Sequence, residues 1–312
     1  MEITIFTPTY NRINILWKAY ESLIKQTKKD FIWLIVDDGS TDKTEEVVQK
    51  WKNEKKIEIH YIKQKNSGKH VAHNTAVKNC KTDFMLILDS DDYLSTNAIE
   101  ILEKECAIIS EMENISGIIG NRYDSKSKSV IGTKLPENIK YASGIELYQR
   151  YKFRGDTLRL YKTKILKKYL FPVIKEEKFI YENVVFDKID KYYKMLVDRN
   201  EMYYGEYLED GYTNNSIKIQ MENPKGFLMS INSNAKYAIT LKAKITSAVL
   251  YNIWRMVLKD DQKSEKVEES FYNKYMEYIT LPIAKILYKA KIPKKLFNKI
   301  DKFKADNYKK LR

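Results

Sequence analysis

Cysteine and histidine are scarce in this chain, with two of the first and three of the second among 312 residues. Cys80 and Cys106 both fall in apolar helical stretches, which excludes a disulfide framework and suits a reducing cytoplasm. A single histidine is more often a surface or core residue than a ligand, so His60 and His73 are read as structural. No apolar run is long enough to span a bilayer and no signal peptide opens the chain, so its small-molecule substrate is expected to be met in the cytosol. Also missing is any nucleic-acid recognition motif. The +14 formal charge and 24 tyrosines raise the possibility of a basic nucleic-acid-binding protein, but nothing organises them for it.

What is present is a 43% hydrophobic content, ample for one domain and a smaller appendage. The most informative run is Phe84 to Asp92, an apolar strand that ends in Asp89, Asp91 and Asp92 with Ser90 between them. Such a strand is buried on both faces, so its acidic end emerges at the carboxyl edge of a parallel sheet, where ligands bind. Hard oxygen donors on one loop suit Mg²⁺ or Mn²⁺ carrying a diphosphate better than zinc. The alternative is a polar turn, with Asp92 capping the helix that starts near Ala98.

Three further strand ends precede it. Ile3 to Thr7 reads as a strand broken by Pro8 and followed by Tyr10-Asn11-Arg12 and a helix. Trp33 to Val36 ends in Asp37-Asp38-Gly39-Ser40-Thr41-Asp42, where Asp42 and Glu45 are expected to form a capping box on the next helix. Ile57 to Ile62 leads into Asn66-Ser67-Gly68-Lys69-His70 and a helix through Asn74. The alternation specifies an α/β fold with a largely parallel sheet and all four marked loops on one edge.

These four motifs, in this order, resemble the family-2 glycosyltransferases. The resemblance implies a GT-A nucleotide-diphospho-sugar transferase fold, Rossmann-like, with a C-terminal helical appendage. It implies an inverting enzyme that takes a nucleotide-diphosphate sugar, UDP-linked in the expected case, and a divalent Mn²⁺ or Mg²⁺. By position, Thr7, Pro8 and Tyr10 line the base pocket and Asp38 accepts from the pyrimidine N–H. Asn66, Gly68, Asn74 and Ser90 belong to the same donor site, and Lys69 reaches the diphosphate. Asp89 faces the ribose or sugar and, with Asp91, holds the metal, while Asp92 supports them. The chain reads Ala72-His73-Asn74 where the family often has an arginine in the middle, so any role of that arginine is absent or passes to Lys69 or His73. Some relatives add a late histidine to the metal, and this chain has none.

The acceptor side is expected in the second half. Lys178 to Asn183 opens an amphipathic helix with Val184, Val185, Ile189, Tyr192, Tyr193 and Leu196 on its apolar side. In the resembled family an acidic residue at this helix start is the general base, which makes Glu182 the candidate. An acceptor hydroxyl needs such a group to take its proton as it attacks, and a helix amino terminus favours the ionised carboxylate. Spacing alone is equally satisfied if Glu182 only complements the helix dipole. Asp156 is the competitor, as base or acceptor-binding group. Asp210, in the polar stretch Glu206 to Asn215, is a reserve ligand or part of an ordinary turn.

The domains expected are a catalytic domain over 1–224, with a donor half to about 110 and an acceptor half over 111–224, and a basic helical region over 225–312. The last region carries 20 Lys or Arg against 8 Asp or Glu, so +12 of the +14 lies there. Its stretch 279–312 interleaves Leu281, Ile283, Ile286, Leu287, Ile292, Leu296, Phe297, Ile300 and Phe303 with lysines. That pattern fits either an anionic membrane surface or an apolar stripe packed on the protein. The expected function is sugar transfer to a glycan or lipid-linked oligosaccharide hydroxyl in bacterial surface polysaccharide synthesis, at the cytoplasmic face of the membrane. The alternative is a transferase-like scaffold without activity, against which Asp38, Asp89, Asp91 and Glu182 are all retained.

Overall fold

A computed structural model of the protein describes residues 2–206, 215–260 and 271–308. The chain forms two compact units, residues 1–173 with 185–206 and residues 174–184 with 207–312.

The first unit is built on a mixed sheet. Its parallel part comprises β1 (Ile3–Thr9), β2 (Phe31–Asp37), β3 (Glu58–Lys63) and β4 (Phe84–Ile87). Helices α1 (Ile13–Ile24), α2 (Thr44–Glu54) and α3 (Lys69–Asn79) make the crossovers. Beyond β4, β5 (Tyr93–Leu94), α4 (Ala98–Ile109), β6 (Ile115–Asp124), β7 (Tyr141–Ala142), α5 (Gly144–Gln149), β8 (Thr157–Lys162) and α6 (Thr163–Leu166) follow in order. After α7 (Asn183–Asp190), β9 (Lys194–Val197) and β10 (Tyr203–Gly205) complete the sheet. The strand order is β3-β2-β1-β4-β8-β6-β10-β5, with β9 on β6 and β7 on β9. Strand β8 runs antiparallel to both neighbours, as do β5 and β7 to theirs, while β6 pairs in parallel with β9 and β10, so the sheet is mixed with its longest parallel run in the first four strands.

Those strands are apolar because both faces are covered. Leu16 and Leu23 of α1, Val48 and Trp51 of α2 and Leu102 of α4 pack with Ile5, Trp33 and Leu86. Tyr20 stacks on Trp51 at 4.3 Å between ring centroids. On the opposite side, His73 of α3 meets Phe6 and Phe171 edge-on.

Several expectations change. Strand β1 continues through Pro8, which pairs with Val36 of β2. Phe6 accepts from Leu88 N, and the ladder to β4 ends at the Phe6–Ile87 pair. Pro8, two residues on, points its missing N–H past the end of β4, so no ladder bond is lost. The capping box at Asp42 and Glu45 does not form. Asp42 instead accepts from Thr44 N at 3.0 Å and from Ile13 N, and Glu45 pairs with Lys63. A capping box does occur at Ser143 and Glu146. Helix α7 ends at Asp190, leaving Tyr192 exposed and Leu196 in β9, because Lys194 to Val197 satisfies its backbone in the sheet. Both cysteines are free and buried.

The second unit contains α8 (Ser216–Glu222), α9 (Pro224–Tyr237), α10 (Leu241–Asp260), α11 (Lys274–Lys289) and α12 (Lys294–Tyr308). Phe227, Ile231, Tyr251, Trp254, Ala284, Phe297 and Ile300 form its core. The segment 174–184 is tied to it by Glu177, whose carboxylate accepts from Lys225 N at 2.8 Å and Gly226 N at 2.7 Å at the start of α9. The apolar stripe read over 279–312 therefore splits. Phe297 and Ile300 are core, Leu287, Leu296 and Phe303 pack against it, and Ile283, Ile286 and Ile292 are exposed. Among the described residues, no helix is long and apolar enough to cross a membrane.

Candidate active site

Most of the expected site residues of the first unit lie on the segments that follow β1, β2, β3 and β4. Backbone geometry explains how these segments meet. After β1, Asn11 adopts a left-handed conformation (φ 51°). This turns its side-chain oxygen onto Thr41 N at 2.8 Å, while its own N–H reaches Ser40 Oγ at 2.9 Å. After β2, Asp37 accepts from Ser40 N at 2.7 Å, a turn-stabilising role. Gly39 follows at φ +85°, and a Cβ there would lie 2.9 Å from Asn66 N, so only glycine lets the two loops touch.

Asp38 is buried and clamps the third loop. Its Oδ1 accepts from Ser67 N at 2.9 Å and Gln64 Nε2 at 2.8 Å, and its Oδ2 from Gly68 N at 2.7 Å. Asn66 is half-buried beside it. Thr7 is buried, its hydroxyl accepting from Trp33 Nε1 at 2.9 Å, Pro8 is buried next to it, and Tyr10 is exposed. Asn74 sits deeper, exchanging two 2.8 Å bonds with the backbone of Phe171.

At the end of β4, Asp92 N bonds Asp89 O, closing a turn that carries Ser90 and Asp91 half-buried at its tip. Carboxylate oxygens of Asp89, Asp91 and Asp92 lie within 4.8 Å of one another. Lys69, at the start of α3, reaches Asp89 at 2.7 Å. Burial, followed by the Asp89 charge, pushes the Asp91 carboxyl above its ordinary range. Burial also raises Asp92, and the adjacent Arg122 guanidinium pulls it back. Three hard oxygen donors crowded at this separation fit a divalent Mg²⁺ or Mn²⁺, which would relieve their mutual repulsion.

Behind the turn is a group that sequence reading missed. Arg122, near the end of β6, donates to Asp92 at 2.6 Å and to Asp156 at 2.8 Å, and Tyr203 of β10 also donates to Asp92. Asp156, half-exposed, thus joins the acidic loop through one arginine. An arginine within the apolar strand Ile115–Asp124 was the available signal, since a charge so placed needs a buried partner.

His70 and His73 are buried, neither has a hydrogen-bond partner on its ring nitrogens among the described residues, and burial lowers His73 to about 3. His60 is exposed beside Glu58.

Glu182 belongs to the second unit, exposed at the residue before α7. The adjacent Asn183 is pinned to α9, donating to Ser230 O and Asn234 Oδ1 at 2.9 Å each. Asp210 lies outside the described residues, as does most of its stretch. Glu206, its first residue, accepts from Ser125 Oγ at 2.6 Å.

The architecture is that of GT-A glycosyltransferases. Over 93% of this chain it superposes on residues 1–349 of Staphylococcus aureus TarS in complex with UDP-GlcNAc, with TM-score 0.56, 18% identity and 92% of that chain covered. It matches the mannosyltransferase PcManGT of Pyrobaculum calidifontis, in complex with GDP-Man and Mn²⁺, equally well, with TM-score 0.56, 15% identity and coverage of 93% and 86%. Residues 4–170, more than half of the chain, match glycosyl transferase family 2, and the protein belongs to that family of enzymes.

Among relatives, the poly(ribitol-phosphate) β-N-acetylglucosaminyltransferase TarS of Staphylococcus aureus is 29% identical over 172 residues, 54% of this chain and 28% of that protein. Glycosyltransferase GlyA of Streptococcus pneumoniae is 29% identical over 185 residues, 55% and 26%. Chondroitin synthase of Escherichia coli is 38% identical over 100 residues, 32% and 14%. The chain thus spans between 14% and 28% of these relatives' own length.

Proposed function

We propose that the protein transfers a hexosyl group from a UDP-sugar to a hydroxyl of a glycan or lipid-linked oligosaccharide, with inversion, in the synthesis of a bacterial surface polysaccharide such as a capsule. The observation that carries this reading is the carboxylate cluster Asp89, Asp91 and Asp92, with Lys69 at 2.7 Å from Asp89, on the loop edge of a family-2 fold. TarS structures with UDP and UDP-GlcNAc support the uridine donor, and the Mn²⁺ of PcManGT supports the metal.

In this reading Asp91 and Asp89 would hold Mn²⁺ or Mg²⁺, whose charge would offset that of the departing diphosphate. Lys69 adds a cation on the same side. Thr7, Pro8, Tyr10, Asp38, Asn66 and Gly68 shape the nucleoside pocket. Ser90 completes the donor loop, and Asn74 acts through the Phe171 backbone it holds. The acceptor oxygen forms its bond to the anomeric carbon as the bond to the diphosphate oxygen breaks, and the hydroxyl proton passes to Glu182 in one displacement. Asp156 orients the acceptor. The reaction takes place on the cytoplasmic side, and the basic 279–312 stretch meets an anionic membrane surface.

The test is a panel of nucleotide sugars incubated with the purified protein and Mn²⁺, reading released nucleotide diphosphate. Turnover of a UDP-sugar, lost in chelator and in Asp91→Asn, is expected. Turnover confined to a GDP- or dTDP-sugar overturns the uridine assignment, and full Asp91→Asn activity in chelator overturns the metal. Release of nothing from any donor returns the protein to the scaffold reading.

A further inference from the structure

The outward face of α11 is inverted relative to an ordinary surface helix. Its inner side is set by Thr280 and Ala284, both buried, with Met276, Leu287 and Tyr288 packed against the C-terminal core. Asn252 fixes this side by donating to Glu277 O at 2.8 Å and Thr280 Oγ1 at 3.1 Å. Charged residues are therefore expected on the opposite side. Instead Tyr275, Tyr278, Ile279, Pro282, Ile283 and Ile286 stand there at helical spacing.

Tyr275, Tyr278 and Ile286 are 74%, 77% and 67% exposed, and Ile279 and Ile283 about half. At 1.5 Å per residue the row is about 16 Å long. An apolar row of this kind on a protein surface marks an interaction site.

Its surroundings say what it meets. Lys274, Lys285 and Lys289 lie along one flank of the row, and Lys291, Lys294 and Lys295 follow immediately after the helix. Between residues 271 and 303 there are eight lysines and two acids. Both acids are already matched, Glu277 by Arg255 and Asp301 by Lys291 at 2.6 Å. Among the described residues from 271 to 303, the face thus presents aliphatic side chains and two amphipathic tyrosines beside a cationic rim with no open anionic group.

We propose that this face, Tyr275 to Ile286, is a docking surface for an anionic lipid bilayer, with the helix lying in the interface plane. Isoleucines enter the acyl boundary, tyrosines hold their hydroxyls at headgroup level, and the flanking lysines meet lipid phosphates. A second copy is a poorer occupant. Two such faces paired antiparallel about a twofold axis at mid-row would place both lysine flanks on one side, Lys285 and Lys289 of one copy beside Lys274 of the other. The inference deepens the membrane part of the proposed function and narrows it from 279–312 to one helix face, and it is independent of the transfer chemistry.

Flotation of the full chain with phosphatidylcholine vesicles, with and without phosphatidylglycerol, tests it. Binding is expected only with phosphatidylglycerol, and it should fall in high salt. The triple variant Ile279→Ser, Ile283→Ser, Ile286→Ser should lose at least about tenfold in vesicle partition, and Lys285→Glu with Lys289→Glu a comparable amount. Both sets alter exposed side chains, so circular dichroism and donor hydrolysis in free solution should match the parent, separating failure of this surface from failure of the enzymatic reading. Equal binding to neutral vesicles, flotation unchanged in both variants, or sedimentation showing self-association abolished by Ile283→Ser without any flotation would each overturn the proposal.

Discussion

Arg122 and Asp92 form a buried ion pair 2.6 Å apart, joining the end of β6 to the turn that carries the candidate metal ligands. Their side chains are 9% and 2% exposed, so neither charge has water as an alternative partner. A lone buried charge costs far more than a pair. Arg122→Met should therefore destabilise the protein by about 3–5 kcal/mol, by leaving Asp92 uncompensated. Urea unfolding measures this. Restoration by a second change, Asp92→Leu, would show that the cost lies in the stranded carboxylate.

Gly205 is the third member of that arrangement. A Cβ built there would lie 1.8 Å from Asp92 Oδ1 and 2.3 Å from Arg122 Nη2. Gly205→Ala should consequently cost about 1–3 kcal/mol by overpacking. It should also lower activity by moving Asp92 and its turn. A melting temperature equal to the parent's would show that the ion pair moves aside freely.

Much of this was legible beforehand. Apolar strands ending in Asp37, Asp38, Asp89 and Asp91 announced the sheet, its edge and the loops, because a strand buried on both faces leaves its polar end only one place to emerge. The partners of Arg122 were not legible, since Asp92 and Asp156 lie 30 and 34 residues away and meet it only through the sheet. Leu196 was misplaced in a helix because Tyr192, Tyr193 and Leu196 satisfy helical spacing as well as a strand does. The split of the C-terminal stripe needed the core in view, as periodicity cannot say which apolar residues have neighbours.

The base assignment is decided by comparing Glu182→Gln with Asp156→Asn. The first keeps shape but cannot take a proton, so transfer should fall by about 10²–10⁴-fold with donor affinity unchanged. The second should act more weakly, since Arg122 retains Asp92. Normal transfer by Glu182→Gln together with inactivity of Asp156→Asn would exchange the two roles.

Far from these groups, Glu105 of α4 faces Asp198, with one carboxyl oxygen buried and unpartnered. Burial and the Asp198 charge push its carboxyl up to about 9 from an ordinary 4.5. The folded state therefore keeps a proton that the unfolded chain releases, and stability should decline as pH rises from about 4.5 towards about 9. Glu105→Gln should flatten that decline and raise the melting temperature at alkaline pH. A parent whose melting temperature does not fall across this window would show that Glu105 is ionised in the fold.

The segment 174–184 is stitched to α9 by Glu177 and Asn183, while the loops that carry Asp38, Asp89 and Asp91 are held together by Asn11 and by Asp38 itself. The two halves of the proposed chemistry thus rest on different units, the donor pocket on the first and the glutamate offered as base on the second. Exchanging residues 1–173 together with 185–206 between family members is expected to carry the donor pocket, whereas the glutamate offered as base would stay with residues 174–184 and the C-terminal helices.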